Sequence, residues 1–140
     1  MSRMSNPLAK SESATVTGRA VRDWELRRID IRSPVTKGAS PVARLELEHP
    51  ARGRVSDIGT APGAFDAAFV AASHIVGVEP RLLSYNVRSG APVQEGALPI
   101  TIEVEIELDG EKLAGRSSGV DLLRCSIEAW LDAIAKAGND

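Results

Sequence analysis

The sharpest pattern in the chain is a strict alternation of apolar and polar residues over residues 100–108. Aliphatic side chains occupy every second position from Ile100 to Leu108, and Thr or Glu stands between them. A period of two predicts a strand with one buried face and one solvated face. Asp109 and Gly110 follow at once and form a strong two-residue hairpin signal. We therefore expect a return strand over residues 112–116.

Weaker strand patterns precede this segment. Apolar and charged residues alternate over residues 43–48, which predicts a half-buried strand. Over residues 24–31 the apolar register slips near Arg27 and Arg28, which indicates a strand with a bulge. A short strand is expected at residues 54–58, and Leu83, Tyr85 and Val87 alternate in another.

Two segments instead show the spacing of amphipathic helices. The apolar positions of the first are Phe65, Ala68, Phe69, Ala72 and Val76, and those of the second are Leu123, Ile127, Trp130 and Ile134. Gly77 is well placed to end the first helix. Glycine-rich segments at residues 59–63 and 115–119 are interpreted as turns that break the sheet and open the helices. Asp66 and Asp121 are assigned to matching places near the two helix starts.

The order of these elements repeats. Each half of the chain reads as strand, strand, short strand, glycine-rich turn and helix, over residues 20–78 and 79–137. One such unit buries too little surface to be stable alone, so the two are expected to pack as a pseudo-symmetric pair. The prediction is an α+β fold of two βββα units, with antiparallel sheets packed against two helices. Residues 1–19 are predicted to form a disordered tail.

Composition excludes several classes of function. The formal net charge is -2 and the basic residues are scattered among acidic ones, so no nucleic-acid footprint is expected. No stretch approaches the ~18 apolar residues that a membrane span needs. The single cysteine, Cys125, cannot form an intramolecular disulfide, which favours a reducing cytoplasm.

Candidate chemistry is sparse, and we expect neither a metal, a cofactor nor catalysis. His49 and His74 have no second ligand at metal spacing. The segment 115–119 could suggest a phosphate cradle, but it lacks the lysine of a P-loop. Cys125 is best interpreted as a small buried hydrophobe. The glutamates at 103, 105 and 107 are best interpreted as the solvated face of a strand.

Four segments taken together resemble a known family. They are Trp24-Glu25-Leu26, Gly59-Thr60-Ala61-Pro62 with Asp66-Ala67-Ala68-Phe69, Leu83-Ser84-Tyr85-Asn86-Val87, and Gly115-Arg116 with Asp121-Leu122-Leu123-Arg124-Cys125-Ser126. Their order and spacing are similar to those of the C-terminal allosteric (dimerisation) domain of 2-isopropylmalate synthase and of citramalate synthases, over roughly residues 20–136.

The resemblance implies a homodimer in which a small amino-acid effector, leucine or isoleucine in the family, lies between two regulatory domains. The positions that would line the effector are Thr60, Ala61, Leu82, Tyr85, Ser89, Gly96, Leu98 and Ser118. In the family the effector slows a remote catalytic barrel, which this sequence does not contain. The resemblance therefore implies a separate acyl-CoA/2-oxoacid condensing enzyme as partner, and a regulatory role.

The sequence departs from the family pattern at several glycines, and this leaves an alternative open. Ala61 replaces one glycine before the first helix, and Ser117 stands where glycine is common in the second turn. Val93 fills a third glycine position, while Glu95 keeps an acid at the usual aspartate position. The alternative is a purely structural dimerisation or assembly module with a decayed effector pocket.

Overall fold

The computed structural model describes residues 21–90 and 98–137, and the predicted tail at residues 1–19 lies outside them. In this part of the chain three strands and a helix occur twice in succession. The first unit contains β1 (Glu25–Arg32), β2 (Val42–His49), β3 (Gly53–Thr60) and α1 (Ala64–Val76); the second contains β4 (Arg81–Ser89), β5 (Ile100–Leu108), β6 (Glu111–Gly119) and α2 (Leu122–Ile134). The α+β class and the doubled βββα order are confirmed.

Each unit forms its own antiparallel sheet, with strand order β1-β2-β3 in one and β4-β5-β6 in the other. The central strands β2 and β5 alternate as the sequence predicts. Their helix-side residues are buried and include Ala43, Leu45, Leu47, Ile102, Val104 and Ile106. Because aromatic residues are few, the core that joins sheets and helices is mainly aliphatic.

The first strand of each unit carries a bulge. In β1 the register shifts between Leu26 and Arg28, where the sequence predicts an irregularity. In β4 it shifts between Leu82 and Ser84, which the sequence analysis misses. In both strands the bulge directly follows a residue paired with a buried aliphatic residue of the central strand. The two units therefore share the position of the bulge as well as the order of their elements, as expected of a bulge that shapes the sheet.

The turn signals at Gly77 and at Asp109-Gly110 are confirmed. Asp109 has φ 52° and Gly110 has φ 84°. Positive φ at both central residues is the type I′ geometry that matches the twist of a hairpin. Gly77 ends α1 in the left-handed region, and its N–H donates to Ser73 O at 2.8 Å.

The interpretation of residues 115–119 as a sheet-breaking turn is wrong, and that of residues 59–63 is confirmed only for residues 61–63. β3 continues through Gly59 to Thr60, and residues 115–119 lie entirely within β6. The third strand of each unit is therefore longer than the sequence predicts, with eight and nine residues. Only the short links before each helix are turns.

Glycine occurs in these strands because a helix lies directly against the backbone. A Cβ added at Gly115 would lie 2.0 Å from Ala129 O and 2.5 Å from Ala133 N. A Cβ added at Gly59 would lie 2.4 Å from Ala71 N. No real Cβ tolerates such distances, so only glycine allows this close approach. The same residue type that indicates a turn in sequence here permits strand–helix packing.

The two helices begin differently, so Asp66 and Asp121 are not equivalent. Asp121 is the N-cap of α2, and its side chain accepts the Arg124 N–H at 3.1 Å. The N-cap of α1 is Gly63, which provides no side-chain cap, and Asp66 lies inside the first turn. There its carboxylate stabilises the positive end of the helix dipole.

Helix α2 connects the two units. It packs on β5 and β6 of its own sheet and also contacts β1 of the other, where Arg124 Nη2 donates to Leu26 O at 3.4 Å. Ile127, Trp130 and Ile134 are buried as predicted, whereas Leu123 is half-buried. Among the residues that the structure describes, no helix combines the length and apolar character of a membrane span.

The glycine contact gives a direct test of the packing. We expect Gly115→Ala to lower the free energy of unfolding by about 2 kcal/mol, since the methyl group would overlap the backbone of α2. Ala114→Val, on the exposed face of the same strand, should change it by less than about 0.5 kcal/mol. Urea unfolding measures both. Equal effects of the two substitutions would contradict the contact.

Candidate functional site

The predicted effector positions of the second unit gather mainly where β4 ends and β5 begins. Ser89, the last residue of β4, pairs with Ile100, the first of β5. Next to this pair, Gly90 N–H donates to Pro99 O at 2.8 Å. Leu98 therefore lies at the same end of the sheet as Ser89. Gly96 belongs to residues 91–97, as do Val93 and Glu95, and lies outside the described residues.

Tyr85 is the most highly connected of the predicted positions. Its hydroxyl lies 2.6 Å from Ser126 Oγ on α2, and Ser126 in turn donates to Leu122 O at 2.8 Å. Because Ser126 uses its proton on that carbonyl, Tyr85 is the donor to Ser126. The Tyr85 ring packs against Phe65 and Phe69 of α1, with centroid separations of 5.7 and 6.2 Å. Tyr85 thus contacts both helices from β4.

The cross-strand register shows that the predicted positions of the second unit lie on two different faces of its sheet. Tyr85 pairs with buried Val104, so Tyr85 and Ser89 face the helices. Ser118 pairs with Thr101 on the opposite face, and the two hydroxyl oxygens are 2.9 Å apart. Within one chain the sheet therefore separates Ser118 from Tyr85.

Three predicted positions remain. Leu82 lies at the bulge of β4, and Thr60 and Ala61 lie at the end of β3 in the first unit. Leu82 precedes the β4 bulge and is 37% exposed. Thr60 ends β3, and its hydroxyl donates to Pro41 O at 2.9 Å. Ala61 follows and packs against the core. Thr60 occupies the outer face of the first sheet, as Ser118 does in the second.

Exposed aliphatic side chains surround the end of the second sheet that carries Ser89 and Leu98. They are Val87 (47% exposed), Leu98 (50%), Val120 (68%) and Leu122 (38%). The register joins them, because Ile100 pairs with Ser89 on one side and with Gly119 on the other. We call these four residues the apolar end. A group of exposed aliphatic residues indicates an interaction surface.

Groups that could perform chemistry are occupied in structural roles. His49 Nδ1 accepts the Ala51 N–H at 3.0 Å, and His74 Nδ1 lies 3.0 Å from Ile58 O. Burial raises the pKa of the Cys125 thiol, partly opposed by its hydrogen bond with Ser117, so the thiolate is disfavoured. Within residues 21–90 and 98–137, no group of three or more His, Cys, Asp or Glu side chains could hold a metal ion.

Sequence reasoning identifies Tyr85 but misses its hydrogen-bond partner. Tyr85 and Ser126 are 41 residues apart, and a serine within an amphipathic helix carries no signal of such a bond. Ser126 is 1% exposed, so its hydroxyl needs partners inside the protein. Leu122 O and Tyr85 provide them.

The bond from Tyr85 to Ser126 should be measurable in a double-mutant cycle. We expect Tyr85→Phe to lower the free energy of unfolding by about 1 kcal/mol, because the buried Ser126 hydroxyl oxygen loses its donor. Ser126→Ala should have a similar effect, and the double variant should be more stable than the sum of the two predicts. A coupling energy indistinguishable from zero would contradict the bond.

Comparison with known proteins agrees with this architecture. The family model for the LeuA allosteric (dimerisation) domain matches residues 9–137. A 2-isopropylmalate synthase of Aquifex aeolicus is 32% identical over 97 residues, which cover 69% of this chain and 18% of that protein. Another, of Methylacidiphilum infernorum, is 35% identical over 105 residues, which cover 74% of this chain and 20% of that protein. The chain therefore belongs to the LeuA allosteric (dimerisation) domain family.

Proposed function

We propose that the chain is a non-catalytic regulatory protein that forms a homodimer and binds a small amino-acid-like effector at the dimer interface. The family description supports both the regulatory and the dimerising role. The observation that carries the proposal is the apolar end, where exposed aliphatic residues lie beside Ser89. The cytoplasm is the expected compartment for such a role.

A two-fold interface explains why the predicted effector positions lie on both faces of one sheet. An isologous contact presents each surface twice, so a pocket between protomers can combine different faces of the same domain. Tyr85 faces the helices of one protomer, while Ser118 lies on the outer face of its own sheet. A site within one chain could not join them, whereas a site between two chains could take one from each.

The chemistry of these positions suits an amino acid. The N-terminus of α2 lies next to Val120 and Leu122 and attracts a carboxylate through its free N–H groups. Ser89 and Ser118 are exposed hydroxyls that can bind the charged end of a zwitterion. The apolar end provides surface for a branched aliphatic side chain. A binding preference of 1–3 kcal/mol for one dimer arrangement would be enough for regulation.

The target of regulation is the second part of the proposal. The chain spans about a fifth of the length of the curated relatives that it matches. We propose that it acts on a separate chain, a barrel-type enzyme that condenses an acyl-CoA with a 2-oxo acid. Effector binding would then bias the dimer between arrangements that the condensing enzyme distinguishes.

A structural assembly module with a decayed pocket is the alternative, and one contact favours it. Ser117 replaces a common family glycine, and its hydroxyl donates to Glu128 Oε1 on α2 at 3.3 Å. Its side chain therefore occupies space between β6 and α2, close to the proposed pocket. In this alternative the dimer persists and no effector binds.

The apolar end predicts the oligomeric state of single variants. The wild-type protein should be a dimer by size-exclusion chromatography with light scattering. Val120→Glu should shift it to monomer, because a carboxylate would be buried in the interface without a partner. Val35→Glu is the matched control, since Val35 is fully exposed in the loop after β1 and should leave the dimer intact. A dimeric Val120→Glu variant would exclude this surface.

Effector binding is tested by thermal unfolding in the presence of leucine, isoleucine, valine and their 2-oxo acids. A ligand at a hundredfold excess over its Kd should stabilise the protein by about 2.7 kcal/mol, which raises the Tm by several degrees. Val120→Glu should abolish the shift together with the dimer. An intact dimer whose Tm does not change with any compound would reject effector binding and favour the structural assembly module.

A further inference from the structure

Within residues 21–90 and 98–137, no helix packs on the outer face of the first sheet, and two arginines on this face have no ion-pair partner. Toward one end of this face the charges are paired: Arg27 Nε lies 2.7 Å from Glu48 and Arg54 Nη1 lies 3.1 Å from Glu46. At the other end, among the residues that the structure describes, Arg32 and Arg44 form no ion pair within 4 Å. The unpaired cations are thus confined to one end.

The carboxylate nearest in register does not neutralise Arg44. Asp30 stands opposite Arg44 on the neighbouring strand, but its Oδ2 is bonded to Arg28 Nε at 3.3 Å. At this end of the face, Arg32 and Arg44 therefore lie near a single carboxylate, Asp30, whose ion pair is with Arg28. This local excess of positive charge attracts an anionic partner.

Two exposed aliphatic residues lie beside these arginines. Val42 is 36% exposed and Ile58 is 47% exposed, and both lie on the outer face, opposite Arg32 and Arg44 respectively. Together with Asp30 and Ile31 these residues line a groove of about 690 Å³. The groove thus combines aliphatic and cationic side chains.

The second sheet provides an internal comparison, because the two bulges fix which positions correspond. The equivalent pairs are Arg32 and Arg88, Val42 and Thr101, Arg44 and Glu103, Ile58 and Arg116, and Thr60 and Ser118. In the second sheet Arg88 pairs with Glu103 at 3.2 Å, and Thr101 and Ser118 share a hydrogen bond. Its polar groups at this end are largely satisfied within the sheet.

In the first sheet the corresponding outer-face residues do not form these contacts with one another. Arg44 occupies the position that Glu103 has in the second sheet. The diagonal pair that forms an ion pair there, Arg88 and Glu103, therefore corresponds to two like charges here, Arg32 and Arg44. The two arginines repel each other across this diagonal, and the carboxylate directly opposite Arg44 is Asp30, where the second sheet has Asn86. Thr101 becomes Val42, which exposes an aliphatic side chain where a hydrogen-bonded hydroxyl stands in the other unit. Both changes become favourable when an acidic, partly aliphatic partner covers the groove.

We propose that this groove docks a partner protein through a segment in which carboxylates alternate with aliphatic side chains. The carboxylates bind Arg32 and Arg44, and the aliphatic side chains pack on Val42 and Ile58. The charged and aliphatic groups of the groove are spread over all three strands of the sheet, which favours an extended protein segment over a small molecule. This surface differs from the apolar end, although Thr60, one of the predicted effector positions, pairs with Val42 beside the groove.

Fluorescence anisotropy with a labelled peptide of alternating glutamate and valine tests the site. We expect saturable binding to the wild-type protein that weakens with added salt, and no comparable binding of the peptide with glutamine in place of glutamate. Arg44→Glu should weaken binding about tenfold or more. The same substitution should leave the fold intact, because it recreates the ion pair that Arg88 and Glu103 form in the second sheet. Ile58→Thr should weaken binding while keeping the charges.

Lys112→Glu is the control, because it makes the same change in charge on the outer face of the other sheet, far from the groove. It should leave peptide affinity within about twofold. No saturable binding to the wild-type protein, or equal losses in Arg44→Glu and Lys112→Glu, would overturn the proposal. So would conversion of a dimer to monomer by Arg44→Glu in light scattering, because the groove would then be an interface between two copies of this chain.

Discussion

The fold depends on the direct contact between helix and sheet that Gly115 and Gly59 allow. Each three-stranded sheet has one apolar face, and that face is buried only where a helix lies against it. At the two glycines the helix backbone approaches within a distance that no side chain permits. This contact fixes the distance between α2 and its sheet, and so places Ser126 within hydrogen-bond distance of Tyr85. It also places Asp121, the N-cap of α2, at the apolar end. The position of the candidate site follows from that packing.

Periodicity made most of the architecture predictable. Alternation fixed the central strands, helical spacing fixed the buried side of both helices, and the Asp109-Gly110 signal fixed a hairpin whose dihedral angles agree. The predictions failed at glycine, because a sequence does not reveal whether glycine provides a positive φ or an absent Cβ. The Tyr85–Ser126 bond could not be predicted, since its partners meet only through tertiary packing. The face on which Ser118 lies also depends on strand register. The sequence did not predict it, because residues 115–119 were assigned to a turn and not to β6.

The two units share a backbone plan but have diverged at their surfaces. Both carry a bulge at the same place, so corresponding positions can be compared directly. The second unit has the apolar end, and Arg88 on its outer face pairs with Glu103. In the first unit, Arg32 and Arg44 form no ion pair with any described residue and lie beside exposed Val42 and Ile58. Duplication would allow this division, because each copy can keep the core while its exposed positions change separately. We infer that dimerisation belongs to one unit and docking of a further partner to the other.

The central claim is that two protomers meet at the apolar end and enclose an effector there. Methyl NMR spectra recorded over a range of protein concentrations, with and without leucine, test it most directly. We expect dilution to shift the methyl resonances of Val87, Leu98, Val120 and Leu122 while those of Val35 stay constant. Leucine should shift the same four sets of resonances at fixed protein concentration. Dilution shifts confined to other methyl groups, or leucine shifts remote from these four, would contradict it.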